Sequence, residues 1–494
     1  MRVLLVALVL WSLVPMGVAQ IPAVAVDTFQ APPDPHWSPI AVGDVKAAYR
    51  LLKDNHPGAA TEFNDSEFVR RLDAAYTEAL RRAAKVVSYQ GYLATLAGFA
   101  TVMGDKHIWS RPTFVVNLPR WPEFLVSKRG DNWVVTDTEQ SQSVLKGATL
   151  LSCDGEAAAE LARKNLAGFH AVWSVGAQQF QSAPWLFVDE GNPFIKRPGS
   201  CVFDQGGQQV TVTLNWMRIK RENLLPRLKA AGGAGAAGFG LRRLGDGYWI
   251  ALQDLMSDKA LGVVKAVEQQ KESLRDARFV VLDMRGNGGG SSEMGHQIAV
   301  SLLGEAAVDA RLGPTTSNEC GTGEVWRATK DNLAQLEFMR TAPFVVNGGA
   351  EIQRLMAQLA DEVRTALAAG REFSAPLHCA PPPKPAGSEA PPPLMKGRLI
   401  LLTDNACFSS CLDVTEDFRD LGALHVGQTT DADTRFMEVR EQYLPSGYSL
   451  FSTLQAVSSD VPRGLGPYDP KVVYDGDIAD TAALEAWITH TVLQ

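Results

Sequence analysis

Three short stretches of the chain hold residues able to do chemistry. The first is Asn405-Ala406-Cys407-Phe408-Ser409-Ser410-Cys411-Leu412-Asp413, between an apolar run (Arg398 to Thr403) and a segment with helical spacing (Leu412 to Leu421). A serine at a strand-to-helix junction sits on a sharp turn. The first helical amides point outward there and can stabilise an oxyanion. Capping the helix is the competing use of the same serines. The second stretch is Leu282-Asp283-Met284-Arg285-Gly286-Asn287-Gly288-Gly289-Gly290, which ends an apolar strand and opens a helix. Its glycines let a backbone amide approach a ligand closely. A phosphate loop is excluded, because no Gly-Lys-Ser/Thr follows and the dinucleotide spacing is absent. An oxyanion- or peptide-binding backbone and a plain tight turn remain. The third is Gly104-Asp105-Lys106-His107-Ile108-Trp109, which closes a helical region and presents an imidazole. The other seven histidines read as structural or surface residues, and His107 by itself would too.

The elements that must carry these stretches are legible in outline. A chain of 494 residues is long enough for two or three domains. Residues 43–119 read as a helical N-terminal domain carrying His107, with helix spacing in Val45-Ala48-Tyr49-Leu52, Phe68-Leu72-Ala75-Tyr76 and Tyr92-Leu96-Phe99. His56-Pro57-Gly58 interrupts the first two helices. Residues 120–222 are rich in strand signals, among them Asn132 to Thr136 and the alternating Gln209 to Leu214. A Gly/Ala-rich linker follows. From 240 to 494 strands and helices alternate, which favours a mostly parallel sheet. An insertion at 304–396 holds helical pieces (Trp326 to Met339, Ala350 to Ala369) and a Pro-rich loop, and suits either a lid or a surface decoration.

The formal charge of -8 argues against a dedicated nucleic-acid binder. Residues 1–19 carry the marks of a secretory signal: Arg2, the apolar run Val3 to Leu13, and Gly17-Val18-Ala19 before a cleavage point. Residues 20–42 read as an extended lead-in. Export to periplasm or medium is the expectation, with no membrane insertion once the signal is removed. In an exported chain the six cysteines are potential disulfides. They fall in sequence-near pairs, Cys153/Cys201, Cys320/Cys379 and Cys407/Cys411, but spacing does not fix connectivity. They are too sparse, with no histidine at ligand spacing, for zinc.

In this order the three stretches resemble the tail-specific or C-terminal-processing serine peptidase superfamily, most closely its tricorn-type and retinoid-binding-protein-like branch. Gly104-Asp105-Lys106-His107 resembles the branch's histidine motif. Val144 to Gly155 resembles a PDZ-type turn. Asp283 to Gly290 matches the Asp-x-Arg-x-Asn-x-Gly-Gly motif, and Ala406 to Leu412 resembles the nucleophile turn. Val426-Gly427-Gln428-Thr429-Thr430 resembles the strand that follows it. The resemblance covers residues 43 to 494 apart from the insertion. It implies an α/β catalytic domain of the ClpP/crotonase-like type, with an N-terminal helical domain and a small PDZ-like β-rich domain.

The resemblance also implies roles. Ser409 would be the nucleophile and His107 the general base, since a serine hydroxyl needs a neighbour to accept its proton. The Ser410 amide, with that of Gly288 or Gly289, would form the oxyanion hole. Asp431 to Arg435 contains no lysine, so a Ser/His pair is expected rather than Ser/Lys. For the carboxylate that orients the base, Asp469 and Glu438 are the candidates. The expected function is an exported serine peptidase cleaving peptides or proteins through an acyl-enzyme, without metal or cofactor. The alternative is a non-catalytic peptide-binding or scaffold protein on the same fold. An α/β-hydrolase is disfavoured, because Gly-x-Ser-x-Gly is absent.

Overall fold

The structure is a computed structural model that describes residues 34–114, 118–139, 144–232, 237–312, 324–347, 349–375, 391–458 and 465–494. The expected signal peptide, the lead-in up to residue 33, most of the Pro-rich loop and the Cys320/Cys379 pair lie outside these residues. The chain divides into two compact units. One comprises Ala234–Glu438 and Gln455–Gln494; the other extends to Gly233 and includes Val439–Leu454.

The second of these units begins with three helices, Trp37–Asn55, Ser66–Ala83 and Tyr89–Val102. Each starts where the local chemistry favours it. The Asp65 carboxylate accepts from the Phe68 amide (2.9 Å) and the Ser88 hydroxyl from the Gly91 amide (3.1 Å), supplying partners to orphan first-turn donors. Phe68, Leu72, Ala75, Ala79 and Ala83 line the buried face of the middle helix. A separate antiparallel sheet follows in the order Phe124–Arg129, Asn132–Thr138, Thr149–Cys153, Ser200–Gln205, Gln208–Thr213. Its core joins Phe124, Trp133, Leu150 and Phe203 to Leu161 and Leu166 of the helix Ala158–Leu166. Cys153 and Cys201 face one another across adjacent strands and form a disulfide.

A strand that sequence patterning does not reveal begins in the same unit and continues into the other from Gln455. The strand Ser449–Ser458 is buried along its whole length although it includes Ser452, Thr453 and Gln455. Ser110–Pro112 pairs antiparallel with its first residues. Asp44 anchors the turn before it, accepting from the Ser446 amide (3.1 Å) and the Tyr92 hydroxyl (2.6 Å).

The other unit is built on a six-stranded sheet: Phe239–Leu244, Gly247–Leu252, Phe279–Asp283, Arg398–Thr403, Leu424–Gly427, Val472–Val473. The first pair is antiparallel and the remaining neighbours are parallel. Helices Asp258–Gln269, Glu293–Leu303 and Ser410–Asp420 share one core with this sheet, contributing Val264, Val267, Ile298, Leu302, Leu412 and Phe418. A second core gathers Trp249, Phe279, Ile400 and Val426 with Leu484 and Ile488 near the C-terminus.

Within the insertion, Trp326 is not the start of a helix. Glu324–Trp326 is a strand paired with Ala456 to Ser458, and its indole is buried. The helix begins at Lys330, where the Thr329 hydroxyl accepts from the Asn332 amide. The insertion leaves and returns at one point, the Leu394 amide donating to the Leu303 carbonyl (2.9 Å).

Candidate active site

The strand Arg398–Thr403 delivers the chain into the serine turn, and the helix Ser410–Asp420 leaves it. Ser409 occupies the N-cap position, yet its side chain makes no capping hydrogen bond. Its backbone is at φ 56°, ψ -135°, a region costly for any residue with a side chain. Caps normally have β-region backbone and accept from the second or third helical amide. Ser409 does neither, so the capping alternative loses its basis. Ser410 is also buried, and its hydroxyl donates to the Gly290 carbonyl (2.8 Å). A disulfide joins Cys407 to Cys411 across the two serines, both sulfurs lying in the hydrophobic core.

The glycine loop leaves the neighbouring strand Phe279–Asp283, whose Asp283 is in register with Leu402. Parallel neighbours end at the same level, so the two loops emerge side by side. Asp283 and Arg285 are fully buried and form a two-point ion pair: Nε to Oδ1 at 2.9 Å, Nη2 to Oδ2 at 2.7 Å. Burial works against the Arg285 charge, but the Asp283 carboxylate outweighs it and raises the guanidinium pKa. Arg285 Nη1 also donates to the Ile478 carbonyl, which ties the loop to the C-terminal segment. The pair is therefore scaffolding for the loop.

Beyond it, Asn287 donates to the Leu252 carbonyl (2.7 Å) and accepts from the Gly289 amide (2.8 Å). Gly289, at φ 101°, passes so close to the serine turn that a Cβ there would stand 2.8 Å from Ser409 Cβ and 3.0 Å from the Ser410 nitrogen. Gly288 is exposed, and a Cβ there would meet nothing within 4 Å. One unit thus brings Ser409, Ser410 and the glycine loop into contact.

His107 belongs to the other unit and is buried. Its Nδ1 lies 3.2 Å from Asp105 Oδ1, and the same oxygen accepts from the His107 amide at 2.8 Å. A carboxylate can only accept, so Nδ1 is the donor in this contact. Ser452 fixes the backbone of this loop, accepting from the Trp109 amide (2.7 Å) and donating to the His107 carbonyl (2.8 Å). Sequence reading missed both partners. Asp105 was visible two positions before the histidine, inside the stretch already singled out. Ser452 left no signal, since nothing local links it to residues more than three hundred positions away.

Of the two carboxylates expected to orient the base, Asp469 is exposed and accepts from the Thr429 hydroxyl (2.7 Å). Glu438 is buried at φ 64°, and its carbonyl accepts from Gln455 Nε2 (3.3 Å).

Comparison with known proteins gives one family match and several similar folds. Residues 249–460, which include the glycine loop and the serine turn, match the profile of Peptidase family S41. Among solved structures, mature CPAF is similar at 14% identity and a TM-score of 0.59, over 93% of this chain and 98% of that one. Mature CPAF complexed with lactacystin is similar at 14% identity and a TM-score of 0.58, over 92% and 99%. At such identity the likeness concerns the fold. No match to a curated protein was found. The family match falls on the segment whose serine turn and glycine loop are in contact, and over residues 249–460 this protein is similar to peptidase family S41.

Proposed function

We propose that this serine peptidase cleaves peptide bonds through an acyl-enzyme on Ser409, with His107 as general base and Asp105 as the residue that orients it. The observation that carries the reading is the backbone of Ser409. Strain at a non-glycine residue, held by a disulfide and by contact with a glycine loop, is expected of a nucleophile and not of a cap. The Asp105 contact supports the choice of base, because a carboxylate on Nδ1 orients the imidazole and stabilises the charge it gains on taking a proton. Asp105 is preferred over Asp469 and Glu438 on the strength of that contact.

In the reaction, Ser409 Oγ attacks the scissile carbonyl while His107 Nε2 accepts its proton. The tetrahedral oxyanion is received by backbone amides, and His107 then protonates the leaving amine. Water repeats the sequence on the acyl-enzyme. The Ser410 and Gly288 amides suit the oxyanion role. The Gly289 amide is already engaged by Asn287, whereas Gly288 faces open space beside the turn.

The sheet of Gly247–Leu252 and its parallel neighbours, flanked by helices, is consistent with the ClpP/crotonase-like type. The six-stranded antiparallel sheet with its helix is consistent with a PDZ-like module, which would dock a substrate tail by strand addition. Export is supported by the disulfides Cys153–Cys201 and Cys407–Cys411, which persist in oxidising compartments. Among the described residues no helix is long and apolar enough to cross a membrane.

Labelling with a fluorophosphonate tests the site. Wild type should be labelled and should cleave casein. Ser409→Ala should lose both, and His107→Ala should lose most of both. Retained cleavage by Ser409→Ala would overturn the assignment.

A further inference from the structure

Asp404 is the first residue after the strand Arg398–Thr403, and its side chain is fully buried. A buried carboxylate is costly unless donors surround it. Here the donors are backbone amides from two different loops. The Gly286 amide, in the glycine loop, lies 3.0 Å from each carboxylate oxygen. The Ala406 amide, in the serine turn, lies 3.0 Å from Oδ1. Gly286 takes up φ 73° to present its amide in this way. The Asp404 carbonyl adds a further tie within the turn, accepting from the Cys407 amide (3.2 Å).

We propose that Asp404 is a positioning residue for the reaction: its carboxylate clamps the glycine loop to the serine turn and so sets the spacing of the two oxyanion amides. This rests on the assignment of Ser409, Ser410 and Gly288 above. The two amides lie on separate loops that leave separate strands. Sheet register brings those loops side by side but does not fix the last ångström between them. Three contacts do so: the Asp404 clamp, the Phe408 amide on the Asn287 carbonyl (3.2 Å), and the Ser410 hydroxyl on the Gly290 carbonyl (2.8 Å). Of these, only Asp404 draws amides of both loops onto one side chain. The oxyanion needs both donors within hydrogen-bond reach of one point, and a misplacement of about 1 Å can cost about a hundred-fold in rate.

The test uses D404N in the full chain. The amide side chain is isosteric, but in place of Oδ2 its NH2 group faces the Gly286 N–H, so that amide exchanges its second acceptor for a repelling donor. Fluorophosphonate titration counts competent serines, and fluorescein-casein gives kcat and KM per labelled site. The expected result is full labelling stoichiometry, a labelling rate and a kcat each lowered about ten- to hundred-fold, and KM within about three-fold of wild type. A merely structural Asp404 would instead lower the labelled fraction and leave kcat per labelled site unchanged. That outcome overturns the proposal, as does an unimpaired D404N. Should D404N not fold, D404S, which retains one small acceptor, gives the same readout. Ser409→Ala separates the two layers. If it stays active, the site reading falls and this proposal with it. If it is inactive while D404N is unimpaired, only the role of Asp404 falls.

Discussion

Nδ1 of His107 lies 3.2 Å from Oδ1 of Asp105, two positions earlier in the same loop. Acid and base partners therefore come from a single short stretch, and the Asp105 carboxylate also holds the loop through the His107 amide. Asp105→Asn should leave the fold intact but present an NH2 to Nδ1, forcing the wrong imidazole tautomer. A fall in kcat of about a thousand- to ten-thousand-fold is expected. A loss below about ten-fold in a steady-state assay would reassign the orienting role.

Gly289 has no room for a side chain. A Cβ would stand 2.8 Å from Ser409 Cβ and 2.9 Å from the Phe408 carbonyl, at a φ of 101°. Gly289→Ala should displace the serine turn and lower kcat/KM by about a hundred-fold or more. The far-ultraviolet circular dichroism should stay close to wild type, since the strain is confined to two loops.

The Cys407–Cys411 disulfide closes a short loop around the proposed nucleophile. Replacing both cysteines with alanine should destabilise the protein by about 2 kcal/mol on the chain-entropy estimate. Urea unfolding measures this. Activity should fall as well, because the strained Ser409 backbone loses a restraint. A variant as active and as stable as wild type would show that the bond is dispensable to the turn.

Arg285→Met would leave Asp283 buried without its cation. A loss of about 3–5 kcal/mol is expected, read from urea unfolding. The double replacement Asp283→Leu/Arg285→Met should recover part of that loss, since no lone charge then remains buried.

A buried histidine and a half-buried carboxylate at the serine helix titrate in opposite senses. Burial, aided by Arg419, lowers the His425 pKa to about 4. Burial, aided by Asp413, Glu416 and Asp420, raises that of Asp417 to about 7. Between about pH 4 and 6.5 unfolded His425 binds a proton that the folded form does not, so its contribution falls as pH falls. Between about pH 4 and 7 folded Asp417 holds a proton that the unfolded form lacks, so its contribution rises as pH falls. In wild type the two slopes oppose one another. Asp417→Asn should lose stability toward acid, by up to about 1.4 kcal/mol per pH unit, and His425→Asn should gain it. Urea midpoints at about pH 4.5, 5.5 and 6.5 decide this; parallel profiles for the two variants would contradict it.

The three chemical stretches stood out in the sequence because each concentrates its signal locally. An apolar strand followed by glycines or serines and then a helical pattern needs no distant partner to be read. The strand Phe279–Asp283 and the helices around Phe68 and Leu96 follow directly from period and burial. The strand Ser449–Ser458 was invisible for the converse reason. Ser452 is buried because distant backbone groups accept from it and donate to it, as His107 and Trp109 do, and Gln455 donates to the Glu438 carbonyl.

What the sequence by itself determined is the set of reactive residue types and the local turns that present them. Side-chain chemistry and backbone preference act over a few residues, so Ser409, His107 and the Asp283-to-Gly290 loop could be named without coordinates. Only the tertiary structure decided which neighbours complete them. It set Ser452 against the backbone of the His107 loop and Asp404 between two loops. Sheet register and buried hydrogen bonding join residues more than a hundred positions apart, and no local pattern encodes which buried donor will meet which acceptor.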